Sequence, residues 1–204
     1  MQIKPEYKVL FYLALSFVIF TILGTLTHEG GHYLMATCLE VPATLHYNFT
    51  SLEAELINAQ SRFYITLAGP LMSMGIGTVG FYLCLKMRKK QETTEPLTTK
   101  QWLCIMLSLF WLRPLFNFLS HAVLYLFSNG ATLRSDEEHL ADYLAWPSYS
   151  ISTTTALISL LVLLWIFFKR IPYTQRFTFL LAALLGSLVG YWLWMIALGP
   201  LILP

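Results

Sequence analysis

Charge is scarce in this chain. Only 12% of its 204 residues are Asp, Glu, Lys or Arg, against 56% that are hydrophobic, and that leaves too little polar surface to cover a soluble globular domain. Cysteine is also rare. Cys38, Cys84 and Cys104 stand isolated with no C-x-x-C spacing, and each lies in or beside an apolar run, where it reads as a small buried apolar residue. No basic patch is interleaved with aromatic residues, so the net charge of +2 does not point to nucleic acid. Long linkers, low-complexity tracts and internal repeats are missing too, which makes one membrane domain the economical organisation.

Long apolar runs fill that gap. They cover about residues 9–38, 62–86, 101–127, 149–168 and 177–199, each close to or above the roughly 20 residues a spanning helix needs. The fold class expected is therefore an all-α polytopic membrane protein with about five transmembrane helices. The first run lacks a small-x-small cleavage site behind a short apolar core, so a retained anchor is expected rather than a cleaved signal. Lys4, Lys8, Lys86, Arg88, Lys89, Lys90, Lys100, Lys169, Arg170 and Arg176 fall on one side of such a bundle. Only Arg62 and Arg134 fall on the other, with Arg113 inside a span. Because positive residues collect in cytoplasmic loops, the N-terminus is expected inside and the C-terminus outside. The Lys86–Lys90 cluster reads as a stop-transfer flank resting on anionic lipid.

His28-Glu29-Gly30-Gly31-His32 lies at the far end of the first run. On a helix, His28 and His32 project from one face and reach a single Zn²⁺, with Glu29 beside them as proton carrier for a metal-activated water. Two His and a Glu on a soluble helix can simply be solvated. In lipid that alternative weakens, because a charged side chain at bilayer depth costs roughly 2.5 to 3.5 kcal/mol on insertion scales. A catalytic zinc takes a third protein ligand. His121, Asp136, Glu137, Glu138, His139 and Asp142 are the candidates; Asp136 is preferred, with Glu137 and His121 as alternatives. Ser135 to Glu138 also reads as a capping box, which gives these acids a purely structural use. Arg113 is expected to pair with a carboxylate or to snorkel toward an interface, and Asn117 to orient a peptide carbonyl or stabilise its oxyanion.

Two further patterns bear on this site. Gly69, Ser73 and Gly77 make a small-residue stripe at i, i+4 spacing that lets another helix come close, with Pro70 a candidate kink; Gly186 and Gly190 do the same on the last run. After Val41-Pro42, the alternation of Thr44-Leu45-His46-Tyr47-Asn48-Phe49-Thr50 predicts a strand or hairpin, or else an amphipathic surface loop. Asn48-Phe49-Thr50 also fits a glycosylation acceptor, which matters only in a eukaryotic secretory setting.

Together the histidine motif near a membrane-helix end, Ala68-Gly69-Pro70 in the second run and a later Asn and Asp around the third resemble the site-2 protease family of intramembrane zinc metalloproteases. The resemblance covers about two-thirds of the chain. It implies a three-helix zinc core within residues 1–148 and two accessory spans in 149–204. It also implies zinc on His28, His32 and Asp136, Glu29 as base, a transmembrane protein as substrate and a re-entrant sheet over 39–61 to whose edge substrate adds. The family's Asn-x-x-Pro and Asp-Gly signatures are absent in that form; Asn129, seven residues before Asp136, and Asn117 compete for the substrate-positioning role. No soluble domain is inserted, so substrate choice falls to the membrane domain or to a regulatory membrane partner. The expectation is a multi-pass zinc endopeptidase of a bacterial plasma membrane. Its rivals are a zinc-binding protein that holds partner helices without cutting them, and a transporter, whose charged groups should recur on several helices.

Overall fold

A computed structural model describes residues 7–53, 57–87, 97–127 and 134–204. Five helical stretches are long and apolar enough to cross a membrane: Tyr7–Cys38, Ala59–Lys86, Thr99–Phe127, Ser150–Lys169 and Tyr173–Ile202. They match the five apolar runs to within a few residues at each end. α1 is Tyr7–Cys38 and α2 is Ala59–Lys86. The third span is divided into α3, Thr99–Ser108, a 3₁₀ turn over Leu109–Trp111, and α4, Leu112–Phe127. A short helix α5, Asp136–Tyr143, leads into α6, Ser150–Lys169, and α7, Tyr173–Trp192; a π turn over Leu193–Leu198 then joins α7 to α8, Gly199–Ile202.

Helix packing follows the small residues. A Cβ on Gly77 would meet Trp111 and one on Gly80 the backbone of Ser108, so α2 lies tight against the third span. Gly186 and Gly190 admit Ala14, Phe17, Val18 and Thr21 of α1, which seats α7 directly on the first helix. α6 packs on α4. The main apolar core gathers Leu13, Phe17, Cys84, Ile105, Met106, Ile166 and Phe179, with Phe17 and Phe179 edge to face at 5.4 Å.

Between α1 and α2 the chain forms a two-stranded antiparallel hairpin, β1 Ala43–Leu45 and β2 Thr50–Leu52, in the register Ala43↔Leu52, Thr44↔Ser51 and Leu45↔Thr50. Of the readings offered for 44–50, the hairpin is the one that forms. Its strands are joined by a four-residue turn, closed by the His46 N–H on the Phe49 carbonyl and by the two rings stacked at 4.3 Å. The tail of the last span holds this turn. The Trp194 indole donates to the Tyr47 carbonyl at 2.7 Å, the Tyr47 N–H donates to the Leu203 carbonyl, and His46 meets the Pro204 carbonyl.

Candidate metal centre

The His28 and His32 rings stand edge to face with centroids 4.8 Å apart, as their one-turn separation on α1 dictates. Both Nε2 atoms converge on one oxygen: Asp136 Oδ2 lies 2.8 Å from His28 Nε2 and 3.3 Å from His32 Nε2. Asp136 opens α5, which is fixed by Ser135 at its N-cap accepting from the Glu138 N–H. Each imidazole is oriented from behind. His28 Nδ1 meets Ser73 Oγ at 3.3 Å and His32 Nδ1 donates to the Ile65 carbonyl at 2.7 Å, contacts of the kind that fix the tautomer of a metal-ligating histidine. Pro70 lies nearby in α2 and has no N–H for the carbonyl of Thr66; the helix nevertheless runs through it without a break.

Proton counting shows that these groups fit a cation. The Ile65 carbonyl can only accept, so His32 Nδ1 carries a proton, and a neutral His32 then turns the lone pair of Nε2 toward a carboxylate oxygen 3.3 Å away. Two acceptors at that distance require either a second proton on the ring or a cation between them. Charge points the same way. Glu29, Asp136 and Glu137 all lie in the field of the Arg113 guanidinium, so the acids gathered here outnumber the arginine that faces them. Ligands on a tetrahedral zinc with bonds of about 2.0–2.1 Å sit roughly 3.3 Å apart. Ligand atoms of the buried His28, Glu29 and His32 lie within 4.8 Å of one another, which makes this group a candidate metal site.

Glu29 is bracketed. Its Oε1 accepts from Arg113 Nη2 at 3.5 Å and its Oε2 faces the Thr50 hydroxyl at 3.5 Å, while that hydroxyl also donates to the Glu29 backbone carbonyl at 3.0 Å. Thr50 belongs to β2, so the hairpin is tied to the motif helix at the acid itself. Burial works against a charged Asp136, but hydrogen bonds from His28 and His32 more than offset it and hold its carboxyl below the usual carboxylate range. Burial pushes the Glu137 carboxyl up.

The two glycines of the motif differ. A Cβ on Gly31 would come within 2.7 Å of the Ala68 carbonyl and 3.0 Å of Gly69 Cα, so Gly31 sets the approach of α1 to α2; a Cβ on Gly30 meets nothing within 4 Å. Gly69 faces the His32 ring itself, 2.8 Å from Cδ2 for an added Cβ.

Asp136 thus joins the histidine pair, and the alternatives go elsewhere. His121 Nδ1 pairs with Glu138 Oε1 at 3.3 Å. That contact also corrects the capping-box reading of Ser135 to Glu138: the serine caps, but the glutamate side chain turns to His121 instead of returning to the cap, in contrast to Thr98 and Gln101 at the start of α3, where both halves form. Glu137 is buried with Oε2 unpartnered among the described residues, Asp142 pairs with Arg134 at 2.9 Å, and His139 is exposed. Asn117 is half-buried on α4 midway between Arg113 and His121, and its side chain meets no hydrogen-bonding partner among the described residues. Asn129 lies outside the described residues. Sequence reasoning missed the Ile65 carbonyl, which has no side-chain signature, and Thr50. It took Ser73 for a packing residue, although its place four residues after Gly69 puts it on the face that meets the histidines. Comparisons with protein-family models, with curated proteins and with solved structures found no match to this chain.

Proposed function

We propose that this chain is an intramembrane zinc endopeptidase of the site-2 protease kind, hydrolysing a peptide bond within or near a transmembrane segment of another membrane protein. The observation that carries the reading is the meeting of His28 Nε2, His32 Nε2 and Asp136 Oδ2 beside a buried Glu29, from positions 108 residues apart in the chain. Zinc, held by these three residues, would supply Lewis acidity to polarise the attacked carbonyl and acidify a water. Glu29 takes a proton from the attacking water and returns it to the leaving amine. Arg113 and Thr50 hold the carboxylate in place from either side.

The hairpin supports a mode of substrate binding. His46 with Phe49 and Pro42 with Glu53 are hydrogen-bonded across the ladder, so by alternation Thr50 and Leu52 turn their own N–H and C=O groups away from β1. An extended substrate segment pairing with that free edge passes Glu29 with its backbone unwound. On the positive-inside orientation this site faces the outer side. A topology reporter in the 128 to 148 loop that reads out as cytoplasmic would remove that part of the proposal.

The test is zinc per chain in detergent for wild type, His28→Ala, Asp136→Ala and Glu137→Ala, followed by cleavage of dye-labelled β-casein by wild type and Glu29→Gln. About one zinc in the wild type, lost with His28 and Asp136 but kept without Glu137, together with cleavage that needs Glu29, supports the enzyme. The engagement of both Glu29 oxygens by Arg113 and Thr50 favours a second reading, a zinc-stabilised protein that binds partner helices without cutting them. Zinc bound at one per chain with no cleavage by the wild type would select it.

A further inference from the structure

Arg113 holds more hydrogen-bonding capacity than the structure uses. Its guanidinium carries five N–H groups in a rigid fork, yet its one ion pair among the described residues, Nη2 to Glu29 Oε1, is 3.5 Å long, at the outer limit of a hydrogen bond. Nε is buried with no partner among the described residues. A buried, unpaired donor is costly and calls for an explanation. The side chain as a whole is still 29% exposed, so it is not enclosed on every side. Arg113 and Thr50 contact different oxygens of the same Glu29 carboxylate, and Thr50 belongs to β2, whose outer edge is turned away from β1. A strand laid along that edge passes the carboxylate that the fork also contacts.

Resting on the peptidase reading, we propose that Arg113 is a catalytic residue that binds the scissile carbonyl oxygen and stabilises its negative charge during attack. The water oxygen bonds to the carbonyl carbon and gives its proton to Glu29, while the C=O π pair moves onto the oxygen that accepts from the Arg113 N–H groups. That pair then returns to remake the carbonyl, the C–N bond breaks and the Glu29 proton passes to the leaving nitrogen, giving one amine and one carboxyl terminus. Donors aimed at such an oxyanion act on the transition state more than on the bound substrate, so their loss falls on kcat. Arg113 supplies charge as well as a donor. The half-buried Asn117, one turn further along the same face of α4, adds a neutral amide beside it.

The experiment measures kcat and KM for dye-labelled β-casein with zinc-loaded wild type, Glu29→Gln, Arg113→Gln, Arg113→Lys and Arg113→Ala, along with zinc per chain and melting midpoint. Arg113→Gln is expected to keep one zinc and a near wild-type melt, to lose about 10²–10³ in kcat and to change KM less than about threefold. Arg113→Lys recovers part of that loss, and guanidinium ion at tens of millimolar restores Arg113→Ala several-fold, neither of which a scaffold role produces. If wild type cleaves and Glu29→Gln does not, but Arg113→Gln keeps its kcat, or if every Arg113 variant sheds zinc and guanidinium rescues none, this inference fails and the peptidase reading stands. Absence of cleavage by the wild type overturns both.

Discussion

Gly69→Ala should dismantle the candidate metal centre without replacing any proposed ligand. The added Cβ would sit on the His32 ring, 2.8 Å from Cδ2 and closer still to Nε2 and Cε1. Ordinary contact needs about 3.4 Å or more, so the ring must retreat by the best part of an ångström. The ring is held to the helix that carries Gly69 by the 2.7 Å bond from Nδ1 to the Ile65 carbonyl, four residues before that glycine. The retreat breaks this bond and swings Nε2 off Asp136 Oδ2. Losing an outer contact alone weakens metal affinity by about 10–100-fold. With the ligand itself displaced, a loss of at least about 100-fold is expected, near 2.7 kcal/mol. Overpacking of about 1–3 kcal/mol is partly offset by the better helix propensity of alanine, about 0.5–1 kcal/mol. Gly30→Ala supplies the control: it lies on the motif helix, its Cβ meets open space, and it should bind zinc as wild type does while melting no lower. Competition against a chelator of known zinc affinity in detergent, with a melt on the same samples, reads both. Wild-type zinc affinity in Gly69→Ala would refute the assignment of His32 as a ligand.

Other outcomes follow from single contacts. Ser73→Ala removes the partner of His28 Nδ1 and should lower zinc affinity by about tenfold with little change in the melt, measured by the same competition. Trp194→Phe deletes the indole N–H on the Tyr47 carbonyl; amide exchange over 43–52 should quicken while exchange within α2 holds. Glu137→Gln relieves a carboxylate whose burial raises its pKa. Charging that group as pH rises is what destabilises the wild type, so the variant should melt higher at pH 8 and lose its advantage below about pH 4, and an advantage that grew toward acid would reverse the sign.

Much of the frame was legible because lipid imposes long apolar runs and small-residue stripes impose close packing. Gly77 of the stripe read in the second run does meet the third span, and Gly186 and Gly190 do meet α1. The histidine pair was legible because its spacing is local to one helix. Asp136 had no such local signature: its meeting with His28 spans 108 positions and depends on how α5 lands after the third span. Glu138 shows the limit of pattern reading. Its position suits a capping box, yet in a half-apolar setting a neighbouring imidazole, His121, competes for the carboxylate and takes it. The hairpin itself was among the expectations for 44–50, but the tie between Tyr47 and the end of the last span has no trace in the alternation of those residues.

The π turn over Leu193–Leu198 makes the hairpin's position a matter of helical phase. Such a turn is one residue more than an α-helix would spend on the same length, and each residue of α-helix advances about 100° and 1.5 Å. Trp194, Gly199 and Leu203 face the hairpin in this phase, with Gly199 leaving room for the Tyr47 ring. Passing the extra residue along the helix would turn everything beyond it by about a quarter of a revolution and withdraw Gly199 and Leu203 from the hairpin together. The strand edge beside Glu29 is therefore indexed to the winding of the last helix, and a small change in that winding moves the edge as a unit.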